Sequence, residues 1–204
     1  MSDTGNTEKQ ARHAARMARK KAIIDKHIAE ADIERGVFVI HTGNGKGKSS
    51  SAFGVLVRAL GWGQSVAVVQ FIKGKWITGE RRFFDKLGGV TWHTMGEGFT
   101  WDTQDRDRDI AAARAAFDKA CALMASGDYD LVLLDEINIA MRYDYLSTDD
   151  VLKGLAARHD RTSVILTGRD AKPALCEAAD LVSEIEAVKH PFDAGIKAQR
   201  GIDF

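Results

Sequence analysis

The sequence predicts a doubly wound α/β domain, a mainly parallel sheet flanked by helices, preceded by an N-terminal helical arm. Three observations predict it. Short β-branched runs alternate with helical stretches from Gly36 onward. One of those runs opens directly into a glycine-rich loop and a helix. Residues 1–34, ahead of them, carry a single basic and weakly apolar helical pattern. The division read from this is an arm over 1–34 and one domain over 35–204.

In the arm, residues 1–6 are small and polar and read as irregular. Thr7 with Gln10 reads as a capping box, a hydroxyl and an amide satisfying each other's orphan backbone donors. A helix is expected over about Glu8–Glu34, free of glycine and proline. Its first half is basic (Arg12, Arg16, Arg19, Lys20, Lys21) and its apolar stripe of Met17, Ile24 and Ile28 is thin. That pattern fits a solvated surface helix, or an arm folded over a ligand or a partner subunit.

The strands are expected at Val37–Ile40, Val66–Phe71, Leu131–Leu134 and Ser163–Leu166, with weaker candidates at Val90–His93 and Leu181–Ile185. Nearly continuous apolar runs of this length fit strands buried on both faces of a parallel sheet. Between them, Ile110, Ala113, Phe117, Cys121 and Met124 recur at helical spacing. Ser147 with Asp150 caps a helix that buries Val151, Leu152 and Leu155. Strand and helix alternating in this order predict right-handed crossovers in one sheet.

Composition narrows the function. At 204 residues the chain is long enough for one domain with a real core. Lysine plus arginine and aspartate plus glutamate stand at 29 each, so no basic field argues for nucleic acid or an anionic membrane surface. No apolar run approaches the roughly 18 residues of a membrane span, and the polar N-terminus has no signal-peptide core. Cys121 and Cys176 lack metal-ligand spacing and read as buried thiols in a reducing cytoplasm.

The strand ending at His41 runs into Thr42-Gly43-Asn44-Gly45-Lys46-Gly47-Lys48-Ser49, and then into a helix from Ser50 to Leu60. Strand, glycine-rich loop, lysine, hydroxyl and helix make a phosphate cradle, the P-loop. Glycines let successive backbone N–H groups converge on an anion, and the helix N-terminus adds its positive dipole end. Lys48 is placed to reach phosphate oxygens, Ser49 to hold Mg²⁺, and Asn44 and Lys46 to touch phosphate or ribose. A dinucleotide fingerprint is excluded by spacing, since its third glycine falls on Lys48. The fold class is therefore P-loop NTPase-like, of the RecA-like kind. Asp135-Glu136, at the end of an apolar strand, supplies the second metal partner: one carboxylate to ligate, the other to orient or act as base. Arg169, just past another strand, faces the nucleotide or solvent. These residues alone leave open a hydrolytic ATPase, with Glu136 activating water, or a regulatory nucleotide-binding module.

A further segment displays aromatics between glycines: Gly96-Glu97-Gly98-Phe99-Thr100-Trp101. Five motifs occur together in order: the Gly43–Ser49 loop, Val69-Gln70-Phe71-Ile72-Lys73-Gly74, Gly98-Phe99-Thr100-Trp101, Leu134-Asp135-Glu136, and the tail Lys189–Gln199. Together they closely resemble the P-loop family of ATP:corrinoid adenosyltransferases, and Thr42 and the basic N-terminal helix fit that pattern too. The resemblance implies transfer of the 5′-deoxyadenosyl group of ATP to the Co(I) of a reduced corrinoid, with release of triphosphate. By the same resemblance, Lys48, Phe99 and Trp101 are catalytic. Gly43, Asn44, Gly45, Lys46, Gly47, Lys48, Ser49 and Ser50 bind the nucleotide, and Arg169, by its place at a strand end, is expected to join them. Ser49, Asp135 and Glu136 hold Mg²⁺ or Mn²⁺. Phe99 and Trp101 displace the lower axial ligand of cobalt and make Co(II) easier to reduce. A homodimer and a flavodoxin-like or flavin reductant complete what the family implies.

Overall fold

The structure is a computed structural model that describes residues 4–71, 77–94 and 105–203. Two compact units emerge, 1–34 and 35–204. In the first, α1 (Thr4–Glu30) is a helix whose described side chains are all exposed. Spaced ion pairs support it, Lys21–Asp25 at 2.6 Å, Arg12–Glu8 at 3.4 Å and Lys26–Glu30 at 3.6 Å, each worth a few tenths of a kcal/mol. The helix starts earlier and stops earlier than its sequence pattern indicates. Thr7 lies inside it, so the Thr7–Gln10 capping box does not form its start. A contact from Ala31 N–H to the Ile28 carbonyl at 3.3 Å tightens the last turn, and residues beyond it run irregularly to Gly36.

In the second unit, six strands form one sheet: β1 (Phe38–Thr42), β2 (Val66–Gln70), β3 (Val90–Thr94), β4 (Leu131–Asp135), β5 (Ser163–Thr167) and β6 (Leu181–Glu184). Their order is β3-β2-β4-β5-β1-β6 and every pairing is parallel. The helices among the described residues are α2 (Lys48–Gly61), α3 (Gly79–Leu87), α4 (Arg106–Ala125), α5 (Ile137–Arg142), α6 (Thr148–Ala156) and α7 (Pro173–Ala178). Both weaker strand candidates are strands. Each is an edge strand, where one face or flank meets water and the apolar signal is diluted.

Period-two alternation sends the central strands into two cores. Val39, Val66, Val68, Leu131, Leu133 and Ile165 pack with Ala52, Phe53, Leu56 and Ala59 of α2 and Phe84 of α3. Phe38, Ile40, Ala67, Val69, Val132, Leu134, Val164 and Leu166 pack on the other face with α4, α5, α6 and Leu175 of α7. Each fully buried aliphatic side chain contributes about 1.5–3 kcal/mol. Ser147 accepts from Asp150 N–H at 3.1 Å, as its spacing predicts. Asp105 caps α4 in the same way and Thr78 caps α3. Cys121 and Cys176 are only half-buried, a correction to the expectation of buried thiols, because both lie at the margin of the α4–α7 core. That partial burial still pushes both thiols up in pKa.

β1 is stapled at its entry. Arg35 donates to both Asp180 oxygens at 2.8 and 2.5 Å, Phe38 N–H reaches the same carboxylate at 2.8 Å, and Gly36 N–H bonds the Asp160 carbonyl at 2.7 Å. A Cβ on Gly36 would stand 2.2 Å from the Thr162 carbonyl oxygen and 2.8 Å from Ser163 N. Both neighbours are backbone and cannot swing aside. Gly36→Ala is therefore expected to destabilise the protein by about 1–3 kcal/mol, seen as a lower urea midpoint at unchanged m-value. An unchanged midpoint would show that the β1 entry relaxes freely.

Candidate functional site

The carboxyl ends of β1, β2, β4 and β5 meet around a cavity of about 440 Å³ lined by the loop from Gly45 to Ser50 and by Gln70, Asp135, Glu136 and Arg169. Open α/β sheets bind ligands at this end because helix N-termini and loop amides face it. β5 lies between the loop strand β1 and the carboxylate strand β4. Phe53 forms the apolar side of the cavity and stacks on Trp92 at 5.6 Å between centroids, while Arg81 sits 5.0 Å over the Trp92 ring.

The loop glycines serve two purposes. Gly43 and Gly47 have left-handed φ of 95° and 113°, which side chains disfavour. Gly43 and Gly45 also lie against the chain leaving β6: a Cβ on Gly45 would be 2.4 Å from the Glu186 carbonyl oxygen, and one on Gly43 2.5 Å from that of Ile185. Gly45 N–H is spent on Ile185 O at 2.7 Å. Neither Gly43 nor the exposed Asn44 lines the cavity, so the sequence reading of both as nucleotide contacts gains no geometric support. Lys46, Gly47, Lys48, Ser49 and Ser50 do line it.

Lys48 is 7% exposed, and its ammonium donates to the Gly45 carbonyl at 2.6 Å. Burial lowers its pKa, Glu136 raises it, and Arg169 and Lys46 lower it further. Behind it, Ser51 Oγ donates to the Lys48 carbonyl at 2.8 Å and lies 2.8 Å from His41 Nδ1, which locks the first turn of α2.

The acidic pair is tightly built. Asp135 is 3% exposed; its oxygens accept from Thr167 Oγ1 at 2.8 Å and Gln70 Nε2 at 3.1 Å. Burial pushes its pKa up, against the pull of hydrogen bonds from Thr167, Ser49 and Gln70. Thr167 Oγ1 also accepts Glu136 N–H at 2.8 Å, so one hydroxyl holds both members of the pair. Sequence reasoning missed Thr167; its signal was a hydroxyl ending an otherwise apolar strand. Glu136 adopts a left-handed φ of 61° at the start of α5, and burial together with Asp135 pushes its carboxyl up to about 7. Asn138, fully buried two residues on, donates to the Gly168 carbonyl at 3.0 Å and steadies the turn carrying Arg169.

Arg169 is exposed and lines the cavity with Glu136. Lys46 reaches across the loop to an ion pair with Asp203, and His190 and Ile202 line the same wall. The sequence did not flag Asp203, because its neighbour in space lies far off in the chain. His190 accepts from Phe192 N–H at 3.2 Å and caps the short helix Pro191–Ala194. Ile72, Lys73, Gly74, Phe99 and Trp101 lie outside the described residues. Among the described residues no three His, Cys, Asp or Glu side chains cluster as a metal cage, and no helix is long and apolar enough to cross a membrane.

Fold and site together define a P-loop nucleotide-binding α/β domain with a buried carboxylate opposite the phosphate loop. Comparison with known proteins narrows this. The family described as ATP:corrinoid adenosyltransferase BtuR/CobO/CobP matches residues 34–204, and the cob(I)alamin adenosyltransferase N-terminal family matches 1–28. The chain is 57% identical to a corrinoid adenosyltransferase of Pseudomonas aeruginosa, over 97% of this chain and 98% of that one. It is 47% identical to the Escherichia coli K12 corrinoid adenosyltransferase, over 95% and 98%. The solved flagellar accessory protein FlaH of Methanocaldococcus jannaschii aligns over 79% of this chain and 75% of its own, with TM-score 0.49 and 15% identity. The chain belongs to the ATP:corrinoid adenosyltransferase family.

The raised carboxyl of Glu136 has a consequence for stability. Between its ordinary pKa near 4.5 and about 7 the folded protein holds a proton that the unfolded chain has released, so stability falls as pH rises through that window. Glu136→Gln is expected to be more stable than wild type at pH 8 by on the order of 2 kcal/mol in Mg²⁺-free buffer, with the gain vanishing near pH 4.5. Chemical denaturation at the two pH values measures it; an equal difference at both would show that the carboxyl is not raised.

Proposed function

We propose that this protein transfers the 5′-deoxyadenosyl group of ATP to the Co(I) of a reduced corrinoid (cobalamin, cobinamide or cobyrinic acid a,c-diamide) and releases triphosphate. The observation that carries the reading is the cavity at the sheet's carboxyl end, where Lys48 and the loop face Asp135 and Glu136, in a chain of this family. In the reaction the Co(I) electron pair attacks C5′, the C5′–O bond breaks, and its electrons leave with the triphosphate. The substrate supplies the nucleophile, so the protein's task is orientation and electrostatics.

Lys48, the loop amides from Lys46 onward and the N-terminus of α2 stabilise the charge that grows on the leaving triphosphate. Ser49, Ser50 and Arg169 hold it in line. Ser49 and Asp135, with Glu136 directly or through water, fit Mg²⁺ or Mn²⁺: they are hard oxygen donors, and burial raises the pKa of both carboxyls, with Asp135 raising Glu136 further against a partial offset from Lys48 and Arg169. Such an ion, when bound, neutralises triphosphate charge. Phe99 and Trp101 close the lower face of the corrinoid, offering cobalt no lone pair. Residues 1–34 act as an arm, in a cytoplasmic homodimer served by a flavodoxin-like or flavin reductant.

Incubation with ATP, Mg²⁺ and chemically reduced corrinoid is expected to yield triphosphate and a light-sensitive Co–C product. ADP and phosphate instead would overturn the proposal in favour of hydrolysis. Lys48→Ala is expected to lower kcat by about 10²-fold or more. Phe99→Ala and Trp101→Ala are expected to lose far more activity with Co(II) corrinoid and a reductant than with pre-reduced Co(I). Equal losses in both assays would remove the axial-ligand role.

A further inference from the structure

The phosphate loop does not face an open cavity wall. The chain after β6 returns across it and ends the described residues in a turn, Gln199–Asp203, whose last residue pairs with a loop cation. The turn is closed from several sides. Asp203 N–H bonds the Gln199 carbonyl at 2.8 Å, Ile202 N–H bonds the same oxygen at 3.2 Å, and Gln199 N–H donates back to Asp203 Oδ2 at 2.8 Å. One carboxylate oxygen is thus committed to the backbone, which aims the other, Oδ1, at Lys46 Nζ. The Asp203 side chain is only 11% exposed, against 47% for Lys46. Its pKa is held below the ordinary carboxylate range, first by Lys46 and then by the Gln199 N–H, so it is anionic at neutral pH. Ile202, Asp203 and His190 line the cavity that Lys48 and Ser49 line from the opposite side.

The loop's own lysine is thus already paired with an anion at the cavity wall. We propose that Asp203 is an internal competitor of triphosphate: its carboxylate and a phosphate oxygen exchange on Lys46, weakening retention of the triphosphate product. This rests on the reading of the loop as a triphosphate site. No bond to carbon or cobalt is involved; the exchange trades one ion pair for another. A highly charged product held by a loop, a lysine and a helix N-terminus leaves slowly unless part of its binding is offset. Because the turn is preorganised, Asp203 regains Lys46 without ordering a loose chain.

The test is direct binding of inorganic triphosphate with Mg²⁺, by calorimetry, to wild type, Asp203→Asn, Lys46→Gln and the double variant. Asp203→Asn is expected to bind triphosphate about three- to fivefold more tightly, the scale of one partly exposed ion pair. Asp203→Ala, which also removes the turn's own hydrogen bond, is expected to gain likewise. In the Lys46→Gln background the gain is expected to shrink below about twofold. Wild type that binds triphosphate while Asp203→Asn binds equally or more weakly would overturn the competitor role. A full gain retained without Lys46 would overturn the exchange and leave simple repulsion. A wild-type protein that binds no triphosphate at all would overturn the reading of the loop itself, an outcome distinct from the other two.

Discussion

A carboxylate with almost no contact with water must be surrounded by donors, and Asp135 sets that demand at the centre of this fold. An ion withdrawn from water costs several kcal/mol unless hydrogen bonds replace its hydration. The donors come from different elements: Gln70 from β2, Thr167 from β5 and Ser49 from the phosphate loop. Each arrives only if the parallel ladder is in register, and it is: Gln70 pairs with Asp135, and Thr167 follows the Leu134–Leu166 pair. Register, strand order and loop position thus converge on one buried charge.

The same charge organises the residues that face the cavity. Glu136, next in the chain, takes a left-handed turn and hangs its N–H on Thr167, so both carboxylates line the cavity while Asp135 stays the more deeply buried. Two carboxylates this close cannot both ionise easily, and burial raises both. Lys48 and Arg169 offset part of that repulsion. The cavity thus sets two acids with raised pKa values on one side and the cations of the loop on the other.

The opposite wall comes from the far end of the chain. Ile185 and Glu186 press so closely on Gly43 and Gly45 that chain packing alone demands glycine there. Glycine at these two positions therefore looks like ligand chemistry in the sequence, while the structure gives it a packing reason. Phe53, in turn, joins the floor of the cavity to the Phe84–Trp92 aromatic cluster, so cavity shape and core packing are one problem.

Apolar runs with period-two burial, helix caps such as Ser147, and the loop from Gly43 to Ser49 were legible in the sequence, because each depends on residues adjacent in the chain. The parallel sheet followed from the order of those runs, and the family from motifs in their order. Strand order, the role of Thr167, the Asp203–Lys46 pair and the withdrawal of Asn44 from the cavity were not legible. Each depends on residues brought together over long separations, where backbone register and hydrogen-bond supply decide which polar groups meet. The start of α1 was misread for the opposite reason: a capping pattern is local, but a helix continues through it when nothing forces a stop. What the sequence by itself determined was the chemistry available at the loop and the class of fold that presents it. Tertiary structure alone decided which partners each charged group receives, since a buried charge takes its donors from whichever strand end lies within reach.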